Sequence, residues 1–83
     1  MAEKYLYSPL PGFIYRRPSP DADVYVKEGD EIQAGQTLCL IEVMKTFTPI
    51  TAQENLRVIK FLVEDEQMIE TEQEIALIET IEY

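Results

Sequence analysis

The chain has 83 residues, 16 of them Asp or Glu and 7 Lys or Arg, for a formal charge of −9 at pH 7. That length sustains one small domain, residues 1–83, with a modest core. An acidic surface repels nucleic-acid phosphates and anionic lipid heads, and no apolar run is long enough to span a bilayer, so neither nucleic acid nor membrane is an expected partner. The acidity is read as solvation of a crowded surface rather than as a charge-coded docking face. The absence of histidine removes the commonest general base and metal ligand, and no metal-spaced cysteines occur. Cys39, the only cysteine, sits between Leu38 and Leu40, where a buried, inert thiol is expected. Met1-Ala2-Glu3-Lys4 lacks a signal-peptide core, so a cytoplasmic location is expected.

Lys4 to Ser8 alternates around Tyr5 and Tyr7 and predicts a first strand, ended by Pro9-Leu10-Pro11-Gly12. Phe13-Ile14-Tyr15 predicts a second, from aromatic and β-branched residues. Arg16 to Asp23 has two prolines, mixed charge and no large apolar residue, and predicts an exposed, stiff loop. Val24-Tyr25-Val26 predicts a return to strand. Lys27-Glu28-Gly29-Asp30 and Ala34-Gly35-Gln36 predict turns on either side of an apolar anchor, Ile32. Leu38 to Glu42 and Phe47 to Thr51 predict two strands joined at Met44-Lys45.

A lysine at a hairpin tip projects a primary amine on a four-carbon stem. Most such lysines only solvate a turn. Met44 distinguishes this one: an apolar side chain at an exposed tip is either tolerated by the fold or read by a partner.

The second half of the chain repeats the first. A shift of 37 residues lays Val26–Glu42 on Val63–Glu79 without a gap, with six identities in seventeen positions. Leu62 to Ile78 read alone suits a helix, with Leu62, Ile69 and Ala76 at seven-residue spacing. Its partner segment carries Gly29 and Gly35, which suit a helix interior poorly, so strand–turn–strand is predicted for both copies. Two such halves imply an approximate two-fold axis, with the lysine hairpin at one pole and the chain ends near the other. Two sheets would then enclose Ile14, Val26, Ile32, Leu40, Ile50, Val58, Leu62, Ile69 and Leu77. Each such side chain contributes roughly 1.5–3 kcal/mol on burial. The fold class expected is all-β, a flattened antiparallel β-barrel or sandwich that limits exposed edges.

Glu42-Val43-Met44-Lys45-Thr46 resembles the attachment site of biotin carboxyl carrier domains, usually Glu-Ala-Met-Lys-Met; Val43 and Thr46 depart from it. Ser8-Pro9-Leu10-Pro11-Gly12 is similar to the Ser/Ala-Pro-x-x-Gly opening of biotinyl domains, and the two turns around Ile32 to that family's turns before the hairpin. The likeness covers roughly residues 5–80. Arg17-Pro18-Ser19-Pro20-Asp21-Ala22 resembles the thumb insertion of the bacterial acetyl-CoA carboxylase carrier subunit, which implies a thumb-like loop over residues 16–23. Leu56, beside Asn55, stands where the family usually has a glycine, and a turn shifted onto Asn55 is expected.

The resemblance implies a barrel-sandwich hybrid of two quasi-symmetric halves and a non-catalytic carrier component. A biotin protein ligase would join biotin, the implied cofactor, to Lys45, reading Val43, Met44 and Thr46. A biotin carboxylase would load a carboxyl group and a carboxyltransferase would pass it on, with acetyl-CoA as the acceptor in fatty acid biosynthesis. Pro18, Ser19, Pro20 and Asp21 would contact the biotin arm; without the resemblance they read equally well as a plain linker. Two other readings remain open. A lipoyl carrier shares the fold, but that family usually has Asp where Met44 stands. An unmodified β-barrel for binding or assembly would leave Lys45 inert. An enzyme is disfavoured: no nucleophile–base pair or phosphate-binding glycine loop is present, and Glu64, Asp65 and Glu66 read as a solvated turn.

Overall fold

A computed structural model describes residues 2–82. Eight strands follow one another: β1 (Glu3–Tyr7), β2 (Gly12–Tyr15), β3 (Glu31–Ile32), β4 (Thr37–Val43), β5 (Thr46–Thr51), β6 (Leu56–Phe61), β7 (Met68–Ile69) and β8 (Glu74–Thr80). They form two four-stranded antiparallel sheets. Sheet A has the order β1-β8-β6-β3 and sheet B the order β5-β4-β2-β7. The all-β, flattened sandwich expected from the sequence is the architecture found, and the helical reading of residues 62–78 is excluded.

The two sheet orders become the same when β1–β4 are matched to β5–β8. Hydrogen bonds repeat at this level of detail. Gly29 N donates to Val58 O (2.6 Å) as Glu66 N donates to Ile14 O (2.7 Å), and Gly35 N to Ala52 O (2.8 Å) as Glu72 N to Ser8 O (2.7 Å). In the turns, Lys27 N donates to Asp30 Oδ2 (2.8 Å), and Glu64 N, 37 residues on, donates to Gln67 Oε1 (2.9 Å). Each half places two strands in each sheet, so the halves interlock instead of stacking. The rotation that superposes them carries the β4–β5 turn onto the chain ends, where Thr80 N donates to Ala2 O (2.8 Å). Hairpin and ends lie on different sheets.

Between the sheets lie Ile14, Val26, Ile32, Leu38, Cys39, Ile41, Ile50, Leu56, Val58, Phe61, Val63, Ile69, Ile75, Ala76 and Ile78, all buried. Six of the nine predicted core residues are among them. The other three are one residue out of phase. Leu38 and Cys39 are buried in succession where a bulge opens the β4–β5 pairing, and Ile75 and Ala76 are buried in succession in β8. Alternation then resumes with Ile41 and Ile78 inside and Leu40 and Leu77 outside. Leu62 is exposed because its neighbours Phe61 and Val63 take the inward positions.

Two local expectations are corrected. Val24–Val26 is not a strand: Tyr25 N donates to Arg16 O (2.8 Å), closing the loop on itself, and Val26 packs into the core without a ladder. The turn before β6 does not shift onto Asn55. No residue between Ile50 and Leu56 has positive φ; Leu56 is buried, and Asn55 Oδ1 accepts from Ala34 N at 3.0 Å.

Candidate functional site

Val43 pairs with Thr46, so Met44 and Lys45 alone make the β4–β5 turn. Their φ angles are +51° and +66°. Two consecutive left-handed residues give a turn of the I′ kind, whose twist matches the strands it joins. Neither residue is glycine, asparagine or aspartate, so the tip carries backbone strain. Met44 is 93% exposed, and Lys45 is exposed with no ion pair among the described residues. Thr46 is exposed and Val43 half-buried. The sequence-predicted tip residues are therefore brought together.

A brace underlies the tip. Glu42 precedes Val43 on the outer face of sheet B, and Tyr15 Oη donates to Glu42 Oε1 at 3.0 Å. That hydrogen bond to the carboxylate, then partial burial, then the charges of Glu42, Glu66 and Asp65 raise the Tyr15 phenol above its ordinary value. The Tyr15 and Phe47 rings pack with centroids 5.7 Å apart. Gly12 lets β2 approach: a Cβ there would stand 2.3 Å from Glu42 O, and its φ of +149° suits only glycine. On the inner side of β4, burial pushes the Cys39 thiol up to about 12, which leaves it protonated and unreactive.

Two grooves open on this face and share Tyr15 and Glu66. One, of about 430 Å³, runs along Gly12, Phe13, Glu42, Val43 and Met44. The other, of about 460 Å³, lies between Leu40 and Phe47 on the sheet and Pro18, Ser19 and Pro20 on the loop. The 16–23 loop is no free linker. Arg16 N donates to Asp65 Oδ1 (2.8 Å). Arg17 Nε lies 3.2 Å from Asp65 Oδ2, an ion pair without hydrogen-bond alignment. The Arg16 guanidinium sits 3.8 Å over the Phe61 ring. Pro18 to Asp21 remain exposed at the loop's tip. Asp65, read from sequence as part of a solvated turn, is the loop's anchor. Tyr15, Leu40 and Phe47 are not among the site residues expected from the sequence; outward strand phase was the signal for them, set for Tyr15 and Phe47 by Ile14 and Ile50 facing inward and for Leu40 visible only once the bulge is placed.

The loop also breaks the internal symmetry. Twelve steps of chain separate Ile14 from Val26, whereas five separate their counterparts Val58 and Val63, a surplus of seven residues.

Compared with known proteins, residues 4–78 match the biotin/lipoyl family model, described as "Biotin-requiring enzyme". The chain belongs to the biotin/lipoyl family. Relatives that carry the name "Biotin carboxyl carrier protein of acetyl-CoA carboxylase" include the following three. The one from Nostoc sp. is 42% identical over 66 residues, 80% of this chain and 36% of that protein. The one from Pyropia yezoensis is 35% identical over 75 residues (90% and 48%), and the one from Haemophilus influenzae 35% over 72 residues (87% and 46%). The chain thus spans between about a third and a half of their length. Among solved structures, a segment of the urea carboxylase of Kluyveromyces lactis superposes with a TM-score of 0.73 and 27% identity, covering 94% of this chain and 6% of that one. A single-chain, multi-domain long-chain acyl-CoA carboxylase shares the fold, with a TM-score of 0.81 at 24% identity over 95% of this chain and 7% of that one. Among the described residues, no helix is long and apolar enough to cross a membrane.

Proposed function

We propose that residues 1–83 act as one biotin carboxyl carrier domain, with biotin joined through an amide to Lys45, serving a biotin-dependent carboxylase of the acetyl-CoA carboxylase type in fatty acid biosynthesis. The observation that carries this reading is the Met44-Lys45 tip, exposed and without an ion pair among the described residues, inside a family match that runs over residues 4–78. The names of the relatives support the choice of biotin over lipoate, and Met44, where lipoyl domains usually have Asp, points the same way. The residues present fit the group. Lys45 is exposed at the turn, and Phe13, Tyr15, Leu40 and Phe47 line grooves on the sheet face that ends in it.

Biotin supplies a ureido nitrogen that takes up and gives up a carboxyl group; the domain contributes no catalytic residue of its own. Its side chains present and steady the arm. The I′ turn fixes the Lys45 Cα at the molecule's edge, and the Tyr15–Glu42 bond stiffens the strand leading into it. Met44, Val43 and Thr46 form the surface a biotin protein ligase reads, and that ligase must draw a proton from the ammonium before the amine can attack. Pro18, Ser19, Pro20 and Asp21, held by the Asp65 anchor, act as a thumb over the arm. Biotin carboxylase and carboxyltransferase are the successive partners. Tethering makes both encounters effectively intramolecular, with local concentrations on the order of millimolar for a short flexible link. The cytoplasm is the proposed setting; neither nucleic acid nor membrane is a proposed partner of so acidic a chain.

Intact-mass measurement after co-expression with a biotin protein ligase tests this. One biotinyl group is expected on the wild-type chain and none on Lys45→Arg. A folded wild-type protein that gains nothing overturns the reading; a gain with a lipoate ligase instead would assign it to the lipoyl branch.

A further inference from the structure

The pseudo-two-fold supplies an internal control for the outer faces of the two sheets. Across sheet A, in register, runs the row Glu3, Glu79, Arg57 and Glu31. It is ionic: Arg57 lies 2.9 Å from a Glu79 carboxylate oxygen and 3.3 Å from one of Glu31. The equivalent row across sheet B is Phe47, Glu42, Phe13 and Met68. The acid at the second position is kept, but Arg57 has become Phe13 and the outer acids Phe47 and Met68. Phe13, Phe47 and Met68 are 42, 53 and 65% exposed. With Met44 they make four of the seven exposed large apolar residues among those described, gathered on one sheet face and the hairpin it ends in. The matched row of the same fold shows that these positions do not require apolar residues, and a clustered apolar surface marks a contact site.

The charges around the row are uneven. Glu42, Glu66 and Asp65 line the grooves together with one cation, Arg17, and a second cation, Lys45, stands beside Met44 at the hairpin tip. Arg17 is taken by Asp65, while Lys45 has no ion pair among the described residues. Converting the Lys45 ammonium to an amide joins Nζ to the acyl carbon of an activated carboxyl, releases that carboxyl's leaving group and sheds two protons. The cation at the hairpin tip disappears with them.

Resting on the assignment of Lys45 as the acylated residue, we propose that the Phe13–Phe47–Met68 face docks an enzyme partner whose apolar patch is rimmed by Arg and Lys, and that acylation of Lys45 strengthens this docking by removing a cation from the contact. Part of the acidity read above as solvation then selects the partner. Loaded and unloaded carriers are told apart by surface charge as well as by the arm, since a like charge at an interface rim slows encounter and weakens binding.

The probe is purified biotin carboxylase, titrated by calorimetry with unmodified wild type, Lys45→Gln and Lys45→Arg. None of the three carries an arm, so a difference that vanishes at high salt is electrostatic. Lys45→Gln should bind about threefold more tightly than the other two at low salt, and the three should converge near 1 M salt, where charges are screened beyond about 3 Å. Phe13→Ser and Met68→Ser should each weaken binding by about tenfold, whereas Tyr5→Ser, exposed on sheet A, should not, with folding of each variant checked by circular dichroism. Equal binding of Lys45→Gln and Lys45→Arg would overturn the charge effect, and unchanged binding by both serine variants would overturn the docking face. Concentration-dependent self-association lost in Phe13→Ser would overturn it too, by assigning the face to a second copy. None of these outcomes affects the mass test of biotinylation, so the two readings fail separately.

Discussion

Among the described residues Tyr15 is the one phenol held by a carboxylate, and that bond ties the β4 strand to its neighbour just before the Met44-Lys45 turn. The sign of its pH dependence follows from the raised value. The fold favours the protonated phenol, because ionisation would place two anions in contact. The stabilisation is therefore complete below the ordinary phenol value of 10 and is lost as pH rises through the higher folded value. Absorbance titration of tyrosinate should show a step above the ordinary phenol range, and Tyr15→Phe should remove that late step. If the titration is unchanged in Tyr15→Phe, the bond does not form in solution. At this scale the sequence was only partly legible. Lys45 and Met44 could be found from an apolar-flanked pair in a turn, and Glu42 came with them as part of a motif. Tyr15 could not, because its partner is 27 residues away and reaches it through strand register.

At the scale of strands and turns, the duplication makes each half a reference for the other. Gly29 and Gly35 have φ of +94° and +92°; their counterparts are Glu66 and Glu72, at +68° and +66°. The same turns are thus made once by residues suited to them and once by residues that are not. A Cβ at either glycine would meet nothing within 4 Å, so the difference between the halves lies in the backbone and not in packing. Glu66→Gly and Glu72→Gly should each stabilise the fold by about 0.5–1 kcal/mol, relief of left-handed strain outweighing the extra entropy of an unfolded glycine. Thermal midpoints should rise by a few degrees for a domain of this size. Gly29→Ala and Gly35→Ala should lower them by a similar amount. A fall in midpoint for both glutamate variants would mean that these side chains hold the turns through contacts of their own. The repeat allowed strand to be preferred over helix for residues 62–78. It did not reveal the strand phase, because a bulge changes which residues face inward without changing composition: Leu40 and Ile41 are equally apolar, and only the doubled burial at Leu38 and Cys39 decides between them.

For the molecule as a whole, the sequence pointed to two similar halves but not to how they share their strands. Only β2–β4 and β6–β8 pair within a half. The other four pairings, β1–β8, β2–β7, β3–β6 and β4–β5, join one half to the other. A half alone would keep one two-stranded ribbon, which is at best marginal in water, and would expose the apolar face that the other half covers. The repeat is therefore not a pair of folding units. Fragments 1–45 and 46–83, cut at the turn that carries Lys45, should each lack fixed tertiary structure by near-ultraviolet circular dichroism. Mixed in equal amounts they should recover it, because the cut severs one connection while leaving every strand its partners. Recovery should depend on concentration, as for any bimolecular association. A folded isolated fragment would show that one half holds enough of the core by itself, and the interlocked arrangement would then not be the source of the fold's cooperativity. Recovery on mixing would carry a consequence for the proposed carrier role. A turn that can be cut without loss of the fold contributes little to stability, so its strained left-handed pair, Met44 and Lys45, is tolerated by a sandwich whose strength lies in the strand pairings on either side.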